Sequence, residues 1–301
     1  MKKIRQEVFG GPEVLRVVEA DIPQPAAGEV LVRVAAAGVN PADWKLREGQ
    51  VEKLGPPPFT LGFDFSGTVT EAGPGVTEFR PGDEVFGMVL SREGAYAEYV
   101  TVPVDFIALK PESLDHVHAA ALPTAVLTAW QALTEVQPGQ RVLVHAAAGG
   151  VGHLAVQIAK AAGAYVIGTA RTANHEFLRE LGADELIDYT TTDFTTAVTE
   201  IDLAFDLVGG DYTARSLQVL RPGGRVVDAQ GEPLDDPRYH RHYVSPSGAD
   251  LRTLTPLLES GRLRGEVERV LPLDEVVEAH KLSESGRVRG KIVLIPWGAA
   301  A

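Results

Sequence analysis

At 301 residues the chain has room for two hydrophobic cores, and its 45% hydrophobic and 23% charged content is ordinary for a globular protein. A formal net charge of −13 leaves no basic excess with which a general nucleic-acid binder would displace phosphate counterions. No apolar run reaches the ~20 residues that span a bilayer, and the absence of cysteine excludes disulfides, thiolate zinc sites, iron–sulfur clusters and a cysteine nucleophile.

The N-terminal MKKIRQEVFGG has lysines but no apolar stretch behind them, so no secretory signal is expected and the expected compartment is cytoplasmic. Residues 1–105 read as β-rich. Val30 to Val34 alternates, Gly67 to Thr70 continues the pattern, and Gly82 to Gly87 leads from turn chemistry into a strand. Turns at Pro74-Gly75 and Pro81-Gly82 separate these strands, suggesting a small irregular barrel. From about Pro111 the texture becomes helical, with AAALPTAVLTAWQAL apolar on one face up to the turn at Pro138-Gly139.

Residues 142–171 then run apolar strand, glycine-rich turn, helix and second apolar strand, the plan of a dinucleotide-binding βαβ unit. In the turn, Gly149, Gly150, Val151 and Gly152 would let a pyrophosphate approach bare backbone at a helix N-terminus. The first glycine of the usual pattern is Ala147, and a tight turn without ligand is the alternative. At the end of the second strand an NAD site usually carries an acid for the ribose hydroxyl. Here the strand ends Gly168-Thr169-Ala170-Arg171-Thr172, and the next acid is Glu176. Arg171 can pair with a 2′-phosphate, so NADPH is the expected cofactor.

Alternation continues with a helix over 176–181 and strands over 185–189, 203–208 and 225–228, implying a parallel, doubly wound sheet. Strand 224–229 closes this alternation, followed by Arg238 to Pro246 with a strand-like Tyr243-Val244. An unpaired sheet edge there predicts a homodimer. The cluster Arg238 to Tyr243 reads as either a solvated loop or an active-site edge. A helix over 250–261, a strand over 267–271, a helix over 273–285 and the strand Lys291 to Ile295 follow, the last returning to the first domain. Residues 297–301 read as a terminal tail.

With these landmarks the chain resembles the medium-chain dehydrogenase/reductase family, and within it the zinc-independent quinone oxidoreductase branch that includes ζ-crystallin. The marks are GVNPAD (38–43), LGFDFSG (61–67), GDEV (82–85), GAYAEY (94–99), LPT (122–124) with Thr128-Ala129, AAAGGVG (146–152) and GKIVL (290–294). The resemblance implies an α/β chain with a GroES-like β-rich catalytic domain, residues 1–112 and 266–301, and a Rossmann doubly wound domain, residues 113–265. It also implies hydride transfer from NADPH to a quinone or an α,β-unsaturated carbonyl, with no nucleic-acid or membrane partner. An enoyl-thioester reductase and a non-catalytic, crystallin-like or regulatory NADPH-binding protein are the alternatives.

By the same resemblance, the Cys, His and Cys that hold zinc in related alcohol dehydrogenases fall on Asn40, Phe63 and Thr124, so no metal is expected. The expected catalytic residues are Asn40 as hydrogen-bond donor, or else a turn residue, and Asp43 and Asp64 as organisers or loop anchors. Lys45 stands where several quinone reductases carry a tyrosine, as donor or surface residue. Thr124 and Thr128 would lie near the nicotinamide. Thr172 and His175 would join Arg171 at the 2′-phosphate, Tyr189 would meet the adenosine, and Val208 and Gly209 the ribose. Trp44, Phe63 and Phe65 would line an apolar pocket or belong to the core.

Overall fold

The computed structural model describes residues 1–51 and 53–296; the terminal tail at 297–301 lies outside the described residues. Two compact units emerge. One comprises Met1–Leu127, Pro246–Gly261 and Gly265–Ala301, the other Thr128–Ser245 and Arg262–Arg264. This division puts residues 113–127 and 246–261 with the β-rich unit, whereas the sequence places both stretches in the second domain.

The first unit opens with the hairpin β1 (Lys2–Arg5) and β2 (Arg16–Glu19). The long strand β3 (Glu29–Val39) is the spine of a seven-stranded sheet. It pairs antiparallel with β4 (Asp64–Ala72) after the short helix α1 (Pro41–Arg47). β5 (Glu84–Met88), β6 (Tyr99–Pro103) and β7 (Ile107–Leu109) complete the N-terminal contribution. The expected strands over 30–34 and 67–70 are thus parts of longer ones.

The helical stretch after Pro111 is broken into α2 (His116–Ala120) and α3 (Pro123–Leu133). Pro123 has no N–H to continue the first helix, but its fixed φ suits the first turn of the second. α2 packs on β3 and β4, so closely that a Cβ on Gly38 would lie 2.4 Å from the Ala120 carbonyl oxygen. Only glycine fits there.

The second unit is a six-stranded parallel sheet. Its elements in chain order are β8 (Arg141–Val144), α4 (Gly152–Ala161), β9 (Tyr165–Thr169), α5 (His175–Glu180) and β10 (Glu185–Ile187). Then come α6 (Phe194–Ala197), β11 (Ile201–Asp206), α7 (Tyr212–Ser216), β12 (Leu220–Asp228) and β13 (Tyr239–Arg241). The spatial order is β10-β9-β8-β11-β12-β13, so the sense in which successive strands are added across the sheet reverses between β8 and β11. Leu143, Ile167, Ile187, Phe194, Val198, Ile201 and Val226 form one of its buried clusters.

Residues 239–241 form a strand, not a loop, and β13 displaces the 224–229 segment from the edge of the sheet. Tyr243-Val244 lies beyond the strand. The charged RYHRH run lacks alternation because parallel pairing with β12, rather than a buried face of its own, orders it.

The chain then returns to the first unit through α8 (Gly248–Glu259), β14 (Val267–Pro272), α9 (Val276–Glu284) and β15 (Lys291–Ile295). β15 pairs parallel with β14 and antiparallel with β3, as expected for a last strand rejoining the first domain.

Candidate active site

Strand register gathers the first group of residues. Asp64, opening β4, stands opposite Gly38, and Ile292, second in β15, stands opposite Val39. The end of β3 therefore meets the starts of β4 and β15, and Asn40, Asp64 and Lys291 converge although 251 positions separate Asn40 from Lys291. All are nearly withdrawn from solvent, at 3%, 0% and 4% exposure.

Asn40 is the extended residue that caps α1, with Pro41 following. Its backbone N–H donates to Asp43 Oδ2 at 2.8 Å. Its side chain turns away to the cluster: Nδ2 donates to Asp64 Oδ2 at 2.9 Å, and Lys291 Nζ donates to Oδ1. Lys291 Nζ also lies 3.4 Å from Asp64 Oδ2. The other Asp64 oxygen accepts from Thr124 N at 2.7 Å and Thr124 Oγ1 at 2.6 Å. The first N–H of that pair is one of those that every helix start leaves without an intrahelical acceptor. Asp64 thus takes four donors, about what its lone pairs can hold.

Asp43 is also fully buried, and its Oδ1 accepts from Gly62 N at 3.0 Å. Burial pushes its carboxyl up to about 7; the Asp64 charge adds to the rise, and the two N–H donors oppose it. The Tyr96 hydroxyl faces it, held above its usual range by burial and by the Asp43 charge. Lys45 is not placed with this group by any of these bonds; its Nζ lies over the Trp44 ring, 5.7 Å from the centroid. Phe63 and Phe65 are core residues at 5% and 0% exposure.

Sequence reasoning overlooked Lys291 and Tyr96 as members of the cluster. Lys291 was visible only as part of the GKIVL mark. A lysine opening an otherwise apolar strand was the available signal, because such a charge is either at the rim or buried with partners.

In the second unit, the turn between β8 and α4 presents bare backbone. Ala146 takes φ +49°, and Gly149 N folds back onto its carbonyl at 2.9 Å. A Cβ on Gly152 would lie 2.2 Å from that same oxygen. The N–H groups of Gly150, Val151 and Gly152 find no acceptor among the described residues, which is the donor set an anionic pyrophosphate needs. Thr128, 7% exposed, lies one helical turn after Thr124 on α3.

The carboxyl edge of the sheet carries the rest. Arg171, exposed, donates from Nε to Tyr189 Oη at 3.0 Å. Thr172 N and Oγ1 both donate to Asp188, and the His175 Nε2 contact, 3.0 Å, is with Ala170 O. Among the described residues the Arg171 terminal amines meet no partner, whereas Thr172 is bonded to Asp188 and His175 to Ala170. Asp206 fixes the next loop by accepting from Val208 N, Gly209 N and Thr213 Oγ1. Tyr189, Val208, Leu234 and Tyr243 all follow carboxyl ends of parallel strands, and all leave large apolar surface exposed. That edge is where open parallel sheets bind ligands.

The Arg238 to Tyr243 cluster is largely spent on structure. Arg238 pairs with Asp236 at 2.8 Å, Arg241 pairs with buried Asp228 at 3.2 Å, and Tyr239 Oη donates to the same carboxylate at 3.1 Å.

Residues 26–112 match a family model described as an alcohol dehydrogenase GroES-like domain, and residues 181–294 match one described as a zinc-binding dehydrogenase. The NADPH-dependent alkenal/one oxidoreductase of Arabidopsis thaliana is 35% identical, over 96% of this chain and 78% of the relative. The quinone oxidoreductase structure from Coxiella burnetii is 40% identical with a TM-score of 0.92, covering 98% of this chain and 99% of that one. The Escherichia coli quinone oxidoreductase complexed with NADPH is 29% identical with a TM-score of 0.87, covering 98% and 100%.

The second description raises zinc, and the donor set here does not fit it. Asn40 Oδ1 already takes a lysine ammonium, Thr124 Oγ1 gives its hydrogen to Asp64, and Phe63 has no donor atom. A cation would have to displace the Lys291 ammonium from Asn40 Oδ1, and the three positions offer no imidazole or thiolate in return. Both family models and relatives covering nearly the whole chain agree: the chain belongs to the medium-chain dehydrogenase/reductase family.

Proposed function

We propose that this protein is an NADPH-dependent, metal-free reductase of quinones or α,β-unsaturated carbonyls. NADPH would supply the hydride from its nicotinamide ring. The backbone of 150–152 would receive the pyrophosphate, and Arg171 the 2′-phosphate. The acceptor gains a hydride at carbon and negative charge at oxygen, and a proton from water completes the product. Stabilising that oxygen requires an oriented N–H donor in a dry place rather than a Lewis acid.

The observation that carries this reading is the Asn40 amide, held at both ends within a buried network whose donor set suits no zinc. The relatives' names point the same way, since they pair NADPH with alkenal/one and quinone acceptors. The thioester reading loses its support because Arg238 and Arg241 are paired to Asp236 and Asp228.

Stopped-flow NADPH oxidation against a quinone, a short enone and an enoyl-CoA tests the proposal. Turnover of the first two and not the third is expected. Tight NADPH binding with no turnover of any acceptor would overturn it in favour of a non-catalytic binder.

A further inference from the structure

We propose that Lys291 is a positioning residue for acceptor reduction: its buried ammonium sets the orientation of the Asn40 amide and makes that amide's free N–H a stronger donor to the acceptor oxygen. The inference rests on the reading above and adds to it a fixed charge behind the donor.

An asparagine side chain can be turned over with little change in shape, so its neighbours decide which end is oxygen. Here they decide without ambiguity. Lys291 offers only donors and the Asp64 carboxylate only acceptors. Turning Asn40 over would set NH2 against NH3⁺ and oxygen against carboxylate, breaking both bonds in a place that water does not reach. The amide is therefore locked, with one Nδ2 hydrogen on Asp64 and the second uncommitted among the described residues.

Thr124 and Asp43 are engaged within the cluster. Thr124 Oγ1 gives its one hydrogen to Asp64 Oδ1, and both Asp43 oxygens accept backbone N–H groups. The second Nδ2 hydrogen is thus the cluster's amide donor for a ligand. A cation bonded to the oxygen of an amide draws electron density from nitrogen, and hydrogen bonds in series strengthen one another at low dielectric. As charge grows on the acceptor oxygen, the Lys291–Asn40 pair meets it with a stronger dipole than an isolated amide would.

The test uses the full-length chain and two readouts. First, kcat and KM for a quinone and an enone are measured for wild type, Lys291→Met and Lys291→Arg, alongside NADPH affinity. Second, binding of para-nitrophenolate is compared with that of its uncharged methyl ether in the NADP⁺ complex. The phenolate presents an oxyanion without turnover.

The expected result for Lys291→Met is a kcat lower by roughly ten- to a hundredfold, with NADPH affinity retained and the preference for phenolate lost. Lys291→Arg keeps the charge and should recover most of both. A folded Lys291→Met with wild-type kcat and undiminished phenolate preference would overturn the proposal. So would a wild type that does not prefer the phenolate. Should Lys291→Met fail to fold because Asp64 is left buried and unpaired, the neutral double variant Asp64→Asn/Lys291→Met replaces it, and wild-type kcat in that variant is equally fatal. A wild type that reduces neither acceptor sinks the functional reading, while phenolate binding still reports on Lys291.

Discussion

Arg171 and Tyr189 follow neighbouring strands of the parallel sheet and share one hydrogen bond, Nε to phenol oxygen at 3.0 Å. The bond steadies the guanidinium by its inner nitrogen and leaves the outer fork for a ligand. A charge-assisted pair between that fork and a 2′-phosphate contributes about 1.5–3 kcal/mol, or roughly ten- to a hundredfold in affinity. Arg171→Ala should weaken NADPH binding by that factor and leave NADH nearly unchanged, as read by fluorescence titration. Tyr189→Phe should give a smaller loss in the same direction. Equal NADPH and NADH affinities in wild type would remove Arg171 from this role.

The Arg171 position was legible because it depends on local order: strand, turn, helix and strand within one short stretch. KIVLI at 291–295 was likewise a strand with the bounds expected. What could not be read was which strands lie side by side. The cluster around Asn40 exists because β3 is flanked by β4 and β15, and no local pattern announces that Ile292 will face Val39. The α1 helix was missed although Asn40, Pro41 and Asp43 are a cap, a first-turn proline and an acid in order. At seven residues its apolar period was too short to register.

Metal removal should leave activity intact. Zinc binding would require the Lys291 ammonium to leave Asn40 Oδ1, and Asn40, Phe63 and Thr124 offer the metal no imidazole or thiolate in exchange. Dialysis against a strong chelator should change kcat by less than about twofold, within the scatter expected when no bond to the protein is broken. Elemental analysis should find no stoichiometric zinc. Activity lost on chelation and restored by zinc would show that the Asn40, Phe63 and Thr124 register is misplaced.

The free edge of the second sheet predicts self-association. β13 pairs with β12 on one side and with no described strand on the other, and Tyr243 beyond it is 70% exposed. An uncovered edge next to an exposed aromatic is a surface that proteins usually pair or protect. Two copies related by a twofold axis would close it. Light scattering should therefore give about twice the chain mass of 32.2 kDa across a range of concentrations. A constant single-chain mass would mean that Arg241 and its neighbours protect the edge by charge.

Acid stability of the first unit should depend on two buried groups that work against each other. His280 is fully buried, and burial followed by the Arg47 charge lowers its pKa to about 3. Its contribution is complete above the unfolded value near 6.5 and is lost as pH falls from there toward 3. Asp43 has the opposite sign. With a folded value of about 7 against 3.8 unfolded, its contribution is complete at low pH and is lost as pH rises through 7. Between pH 7 and pH 5 each changes stability by about 2 kcal/mol, His280 downward and Asp43 upward on acidification, so the two nearly cancel. Asp43→Asn should uncover the histidine and add about 2 kcal/mol to the stability lost over that interval. His280→Gln should reverse the slope, making the unit more stable at pH 5 than at pH 7. Urea unfolding of the three proteins at both pH values reads this directly, because the comparison is of slopes and absorbs any constant cost of substitution. Parallel slopes in all three would show that neither group shifts as its burial demands.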